Sequence, residues 1–153
     1  MEHFQQDLNI ATKPESVYAA LTTIDGLRGW WTQECDGAAG VGQTIHFRFG
    51  SCFKDMRVAS LQPGREVRWH CTRAHIDVTG IAHHAEWLGT EPVFTLTPDG
   101  KGGTDLHFEH HGLLPSLECY GICLQGWQHF LASLRQYAET GTGTPYIKER
   151  EAA

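Results

Sequence analysis

Apolar side chains recur along this chain at two spacings, a period of two that predicts strands and a period of three to four that predicts helices. The first period-two segment predicts a strand with one face made of Phe4, Gln6, Leu8 and Ile10. Thr12-Lys13-Pro14-Glu15 then has the form of a capping box with a proline in the first turn, which predicts a helix start. The break at Asp25-Gly26 divides the apolar pattern that follows, so we expect two short consecutive helices.

Alternating apolar and polar residues dominate the middle of the chain and predict an antiparallel meander. Its three runs are Val41 to Phe49, Phe53 to Leu61, and the segment with Val67, Trp69 and Cys71. Arg73 to Glu86 has no clear period, and we read it as a long loop or ragged extension over one end of the sheet. The last two strands are predicted at Trp87 to Thr97 and Thr104 to His110.

The strongest periodic signal predicts a helix from Glu118 to Thr140, which Gly141 ends. At 1.5 Å per residue such a helix is about 35 Å long, enough to cross a small sheet. Gly126 is predicted to permit a close approach. The side facing the sheet is predicted to carry Ile122, Cys123, Trp127 and Phe130.

Several short motifs give the chain a family resemblance over nearly its whole length. They are Thr12-Lys13-Pro14-Glu15-Ser16-Val17-Tyr18, Trp30-Trp31, Trp87-Leu88-Gly89-Thr90, Gly103-Thr104-Asp105-Leu106, His110-His111-Gly112-Leu113 and Gly126-Trp127. With them the chain resembles the START-like (SRPBCC) superfamily of polyketide cyclases and lipid-transport proteins. Within it the chain is similar to the bacterial group named after the activator of the heat-shock chaperone ATPase.

The order of elements and this resemblance imply an α+β helix-grip fold. We expect a curved six-stranded antiparallel sheet wrapped around the long C-terminal helix, with two short helices after the first strand. One START-like domain is expected to span residues 1–153. The segment Arg73 to Glu86 is longer than the simple hairpin expected there, so the rim of any pocket is the part that the resemblance defines least.

Composition narrows the classes of partner. A formal net charge of -6 with scattered Lys and Arg provides no basic stripe for a phosphate backbone, so nucleic acid is not expected. No apolar run approaches the roughly 18 residues of a membrane span and no signal peptide is recognisable, so no membrane and a cytoplasmic location are expected. Five cysteines without paired CxxC spacing are read as reduced thiols, and no cofactor is expected.

Aromatic residues supply the candidate binding site. The five tryptophans are all predicted to face the space between sheet and helices, where they either line a ligand cavity or fill the core. Both interpretations stay open. The candidate ligand contacts are Trp30, Trp31, Phe47, Phe49, Trp69, Trp87, Phe108, His110, Cys123, Trp127 and Phe130.

His110 is the only candidate for catalysis, as an acid–base group. Alternation turns it inward with Leu106 and Phe108, where an imidazole can exchange a proton near neutral pH, although a structural histidine is the favoured interpretation. No metal site is expected, because the adjacent His110 and His111 point to opposite faces of a strand.

Three functions fit the sequence. The first is a binding or carrier domain for a hydrophobic or aromatic small molecule; the second is a cyclase, dehydratase or hydrolase that uses a pocket histidine. The third is a chaperone adaptor or stress-associated interaction module, for which a chaperone partner has little support. A homodimer is compatible with all three, and the sequence names neither the ligand nor a reaction.

Overall fold

A seven-stranded antiparallel sheet and a long C-terminal helix form the fold of residues 3–147, the part of the chain that the computed structural model describes. The elements in chain order are β1 (Phe4–Ile10), α1 (Pro14–Thr22), α2 (Ile24–Trp30), β2 (Cys35–Gly37), β3 (Thr44–Phe49), β4 (Cys52–Gln62), β5 (Glu66–His75), β6 (Glu91–Pro98), β7 (Thr104–His111) and α3 (Tyr120–Thr140).

The order of strands in the sheet is β1-β7-β6-β5-β4-β3-β2, so every hairpin neighbour is adjacent and β1 closes onto β7. The predicted count of six strands was wrong, because it lacked β2. This strand has only three residues, too few to show alternation, and it pairs with β3 through Cys35 opposite Phe47. The α+β class and the C-terminal helix are confirmed.

The segment between β5 and β6 departs from the prediction at both ends. β5 continues to His75, and β6 begins at Glu91 rather than at Trp87. The reason is that β5 pairs with β6 only from Glu66 to Arg68, after which the two strands diverge. Trp87 and Thr90 belong to a turn tied to β5, in which the Cys71 amide donates to the Thr90 carbonyl.

The two short helices are confirmed, but their boundaries have other causes than predicted. The capping box does not form: Lys13 occupies the N-cap of α1 without a side-chain cap, and the Thr12 carbonyl accepts a hydrogen bond from the Thr104 hydroxyl. The break falls at Thr23, whose hydroxyl accepts from the Gly26 amide and caps α2. Gly26 itself lies inside α2, packed against α1.

α3 spans Tyr120–Thr140, and Gly141, which caps its end, has the positive φ of 87° expected of a C-terminal glycine. Its inner face buries Trp127, Leu131 and Leu134, and no helix within residues 3–147 is long and apolar enough to cross a bilayer. Ile122, which was predicted to lie on the side facing the sheet, is 43% exposed. All five tryptophans are buried, at most 2% exposed, as predicted.

Gly26→Ala is expected to destabilise the protein, because an added Cβ would lie 2.7 Å from the Ala20 Cα and 2.8 Å from its carbonyl oxygen. Backbone atoms cannot rotate away, so α1 and α2 must separate, at a loss of about 1–3 kcal/mol. The control is Gly121→Ala in α3, where a Cβ meets nothing within 4 Å. Urea denaturation should show destabilisation in the first variant alone; equal midpoints would contradict the close packing.

Candidate functional site

A pocket of about 230 Å³ lies where the β3–β4 hairpin, the segment after β5 and the first half of α3 meet. Its walls are mainly aromatic and aliphatic. The lining residues are Trp31, Phe49, Cys52, Lys54, Ile76, Val78, Trp87, Ile122, Cys123, Gly126, Trp127, Phe130 and Tyr146.

Stacked indoles form the floor of this pocket. The Trp127 ring lies 5.9 Å from Trp87 and almost parallel to it, at 10°, and 5.0 Å from Trp31. Trp31 in turn stacks on Trp30 and on Trp69, with centroids 5.6 Å and 5.7 Å away and both interplanar angles 6°. The pocket floor is therefore continuous with the aromatic core: Trp31, Trp87 and Trp127 line the pocket, whereas Trp30 and Trp69 are buried away from it.

His110 lies beneath the floor, where both of its ring nitrogens have partners. Nδ1 accepts a hydrogen bond of 3.0 Å from the Trp127 indole, and Nε2 lies 2.8 Å from the Thr90 hydroxyl. Because that hydroxyl donates to the Trp87 carbonyl, it must accept from His110, which fixes a neutral ring protonated at Nε2. Burial, and then the positive charge of Lys54, lower the pKa of His110 well below its usual value.

Lys54 and Cys123 bring polar atoms to the pocket, as do Cys52 and Tyr146. The Lys54 ammonium lies 4.4 Å from the centroid of the Phe49 ring and 4.3 Å from that of Trp87. The Cys123 thiol accepts a hydrogen bond of 3.0 Å from the Trp87 indole. Hydrogen bonding with Cys119 lowers the pKa of Cys123, assisted by the Trp87 indole and Lys54, whereas burial raises that of Cys71 to about 12.

The structure divides the residues predicted to contact a ligand into two groups. The members at the pocket are Trp31, Phe49, Trp87, Cys123, Trp127 and Phe130. The others are buried without lining it, and these are Trp30, Phe47, Trp69, Phe108 and His110. The division follows position along the sheet, since the pocket occupies only the end near the β3–β4 turn.

Several pocket residues escaped the sequence reasoning. Cys52 and Lys54 precede Met56 and Val58 on the inner face of β4, so alternation was a usable signal for them. Ile76 and Val78 come from the aperiodic segment, and nothing in its pattern marks them. Gly126 was predicted to allow a close approach, which was wrong: a Cβ there meets nothing within 4 Å, because the residue borders the pocket.

The histidines of the aperiodic segment do not reach the pocket. The His83 ring lies 3.3 Å from the Glu118 carboxylate, and His84 contacts the Ile81 carbonyl. Glu118 also accepts the amides of Ala82 and His83, which fixes the segment beside the start of α3.

Within residues 3–147, two groups of side chains outside the pocket have ligand atoms close enough to hold a metal ion, although the sequence predicts none. They are His3, Glu109 and His111, and His75, Asp77 and His84, with the ligand atoms of each group within 4.8 Å of one another. His111 faces away from His110, as the alternation of a strand requires.

An antiparallel sheet that packs against a long C-terminal helix, with an aromatic pocket between them, defines the helix-grip (START-like) class. Residues 11–139 match the profile of the family described as "Activator of Hsp90 ATPase homolog 1-like protein". The chain belongs to this family, as the motifs from Thr12 to Trp127 predict. No curated protein gives a match.

Solved structures are similar over most of the chain. The solution structure of the Aha1 dimer from Colwellia psychrerythraea is 34% identical, covers 94% of this chain and all (100%) of its own, and has a TM-score of 0.77. Protein MLL2253 from Mesorhizobium loti is 25% identical, covers 87% of this chain and 95% of its own, and has a TM-score of 0.67. CalU16 from Micromonospora echinospora, 17% identical over 92% and 75%, shares the fold at a TM-score of 0.66.

His110→Gln is expected to lower the free energy of unfolding by about 1–3 kcal/mol at about pH 7.5, because the buried Trp127 indole loses its acceptor. This outcome would support a structural role. Urea denaturation measures it, and an unchanged midpoint would contradict the hydrogen-bonded arrangement.

The loss of unfolding free energy in His110→Gln should be smaller at acidic pH. Because the folded-state pKa of His110 is lowered, the unfolded chain binds its proton first, and this residue reduces wild-type stability as the pH falls below about 6.5, by up to about 1.4 kcal/mol per pH unit. Gln does not titrate. The difference between wild type and His110→Gln should therefore be smaller at about pH 5.5 than at about pH 7.5.

Proposed function

We propose that this protein binds a small hydrophobic or aromatic molecule in the pocket between α3 and the β3–β4 hairpin. The observation that carries the proposal is the pocket wall itself, in which Trp31, Phe49, Trp87, Trp127 and Phe130 surround about 230 Å³. Pockets for drug-sized ligands have about 300–1,000 Å³, so this volume favours a ligand of one or two rings.

The chemistry of the wall supports an apolar body. Transfer of apolar surface from water contributes about 25 cal/mol per Å², so ring burial can supply most of the affinity. A groove of about 650 Å³ between β1 and α3 is larger, but Gln5, Gln6 and Gln128 line it, which favours water over an apolar ligand. The smaller pocket is the better site.

The geometry gives less support to the alternatives. The proposed proton shuttle, His110, lies outside the pocket with both ring nitrogens in hydrogen bonds, so it has no free position for a substrate. The family description names a chaperone ATPase activator, but no contact within residues 3–147 bears on a chaperone partner. A ligand-binding domain remains the function that the pocket supports.

Blocking the pocket tests the proposal. Gly126→Leu places an isobutyl group where a Cβ meets nothing within 4 Å, and a leucine also suits a helix better than glycine. With 2-naphthamide as a neutral two-ring probe, calorimetry should show binding to the wild type and an affinity at least about tenfold weaker in the variant.

The matched control is Gly121→Leu in the same helix, where a Cβ is equally unhindered but the residue does not line the pocket. It should bind 2-naphthamide as the wild type does. Equal binding to the wild type and Gly126→Leu would contradict the location of the site, and no binding to the wild type would contradict the proposal.

A homodimer is the assembly that the comparisons support for this chain. The Colwellia psychrerythraea relative, at 34% identity, was solved as a dimer, and its fold covers 94% of this chain. Size-exclusion chromatography with light scattering should give about twice the chain mass of 17.1 kDa. A mass of 17.1 kDa at all concentrations would contradict this assembly.

A further inference from the structure

Lys54 is a positively charged side chain within an otherwise apolar pocket. It lies on β4 opposite Phe47 of β3, and the alternation that buries Met56 and Val58 turns its side chain inward as well. Asp55, the adjacent residue, points to the other face, where it contacts His46 and Arg73. The nearest acid in sequence is therefore directed away from the pocket and already paired.

The surroundings of the Lys54 ammonium contain rings and thiols instead of a carboxylate. Its contacts are the faces of Phe49 and Trp87, and the nearby ionisable groups are the thiols of Cys52 and Cys123 with two further cysteines behind them. None of the described residues that line the pocket carries a carboxylate. Glu86, close to the start of α3, accepts the amides of Glu118 and Cys119.

This arrangement leaves the ammonium incompletely compensated. Burial lowers the pKa of Lys54, because the charged form loses water, and the nearby thiols, that of Cys123 first, offset this shift only in part. An anionic group of a ligand would give the ammonium a full charge partner, and such a charge-assisted contact is stronger than a neutral hydrogen bond. The same contact would fix the orientation of a flat ligand between the aromatic walls.

We propose that the pocket selects compact aromatic acids, whose anionic group pairs with the Lys54 ammonium while the rings lie against Trp87, Trp127 and Phe130. This inference rests on the proposed ligand-binding function and adds the charge of the ligand to it. The long-range electrostatic field of the protein does not favour anions, since the chain carries a formal net charge of -6. Selection therefore depends on the local contact with Lys54.

A matched pair of probes separates charge from shape. 2-Naphthoate and 2-naphthamide have the same rings and nearly the same size, but only the first is an anion. Calorimetry on the wild type should give an affinity for naphthoate about 10- to 100-fold higher than for naphthamide. Equal affinities, or a preference for the amide, would overturn the inference and leave the pocket itself supported.

Lys54→Met tests the residue, because methionine keeps an unbranched apolar stem and removes the charge. The variant should bind naphthamide within about threefold of the wild type and lose the preference for naphthoate. Lys101→Met is the control: it changes the net charge equally at an exposed position in the β6–β7 turn, and the preference should persist.

The outcomes distinguish this inference from the proposed function. If the wild type binds neither probe, both fail; if it binds both probes equally, only the charge preference fails. A preference that survives in Lys54→Met would overturn the role of Lys54. Should Lys54→Met not fold, as judged by circular dichroism, the comparison of the two probes on the wild type still tests whether the pocket prefers an anion.

Discussion

The hydrogen bond from the Trp127 indole to His110 joins the long helix to the sheet, and the candidate site depends on it. It fixes the direction of the indole, so that the ring stacks on Trp87 and lies at 46° to Phe108, with 4.3 Å between the centroids. The same bond makes Nδ1 of His110 an acceptor and keeps the ring neutral. One contact thus sets both the floor of the pocket and the absence of a free acid–base group beneath it.

Charged side chains on the two faces of the sheet differ in whether they have a partner of opposite charge. On the outer face they pair, as Arg68 and His70 do with Glu91. On the inner face Lys54 reaches an apolar pocket that supplies no carboxylate, an arrangement that disfavours its charge in the unliganded protein. The contacts with the Phe49 and Trp87 rings offset only part of this cost, which is the physical reason for the proposal of a ligand at this end of the sheet.

Much of this architecture could be predicted from local patterns. The alternation on β7 correctly predicted that Leu106, Phe108 and His110 face inward, and the helical period correctly predicted α3. What local patterns cannot show is which buried aromatic residue borders empty space: Trp69 and Trp87 look alike in sequence, yet only Trp87 lines the pocket. That distinction depends on where β5 and β6 diverge, a property of distant pairings. Lys54 was missed because a charged residue on a strand is ordinarily assigned to the solvent face.

The near-parallel stacking of Trp30, Trp31 and Trp69, each ring within 5.7 Å of the next, has an optical consequence. Indoles at such separations share their electronic excitations, so the near-ultraviolet circular dichroism of this protein reports their mutual arrangement rather than isolated chromophores. Trp31 belongs to this stack and also lines the pocket. The near-ultraviolet circular dichroism of the protein should therefore change when the pocket around Trp31 changes, without any attached label.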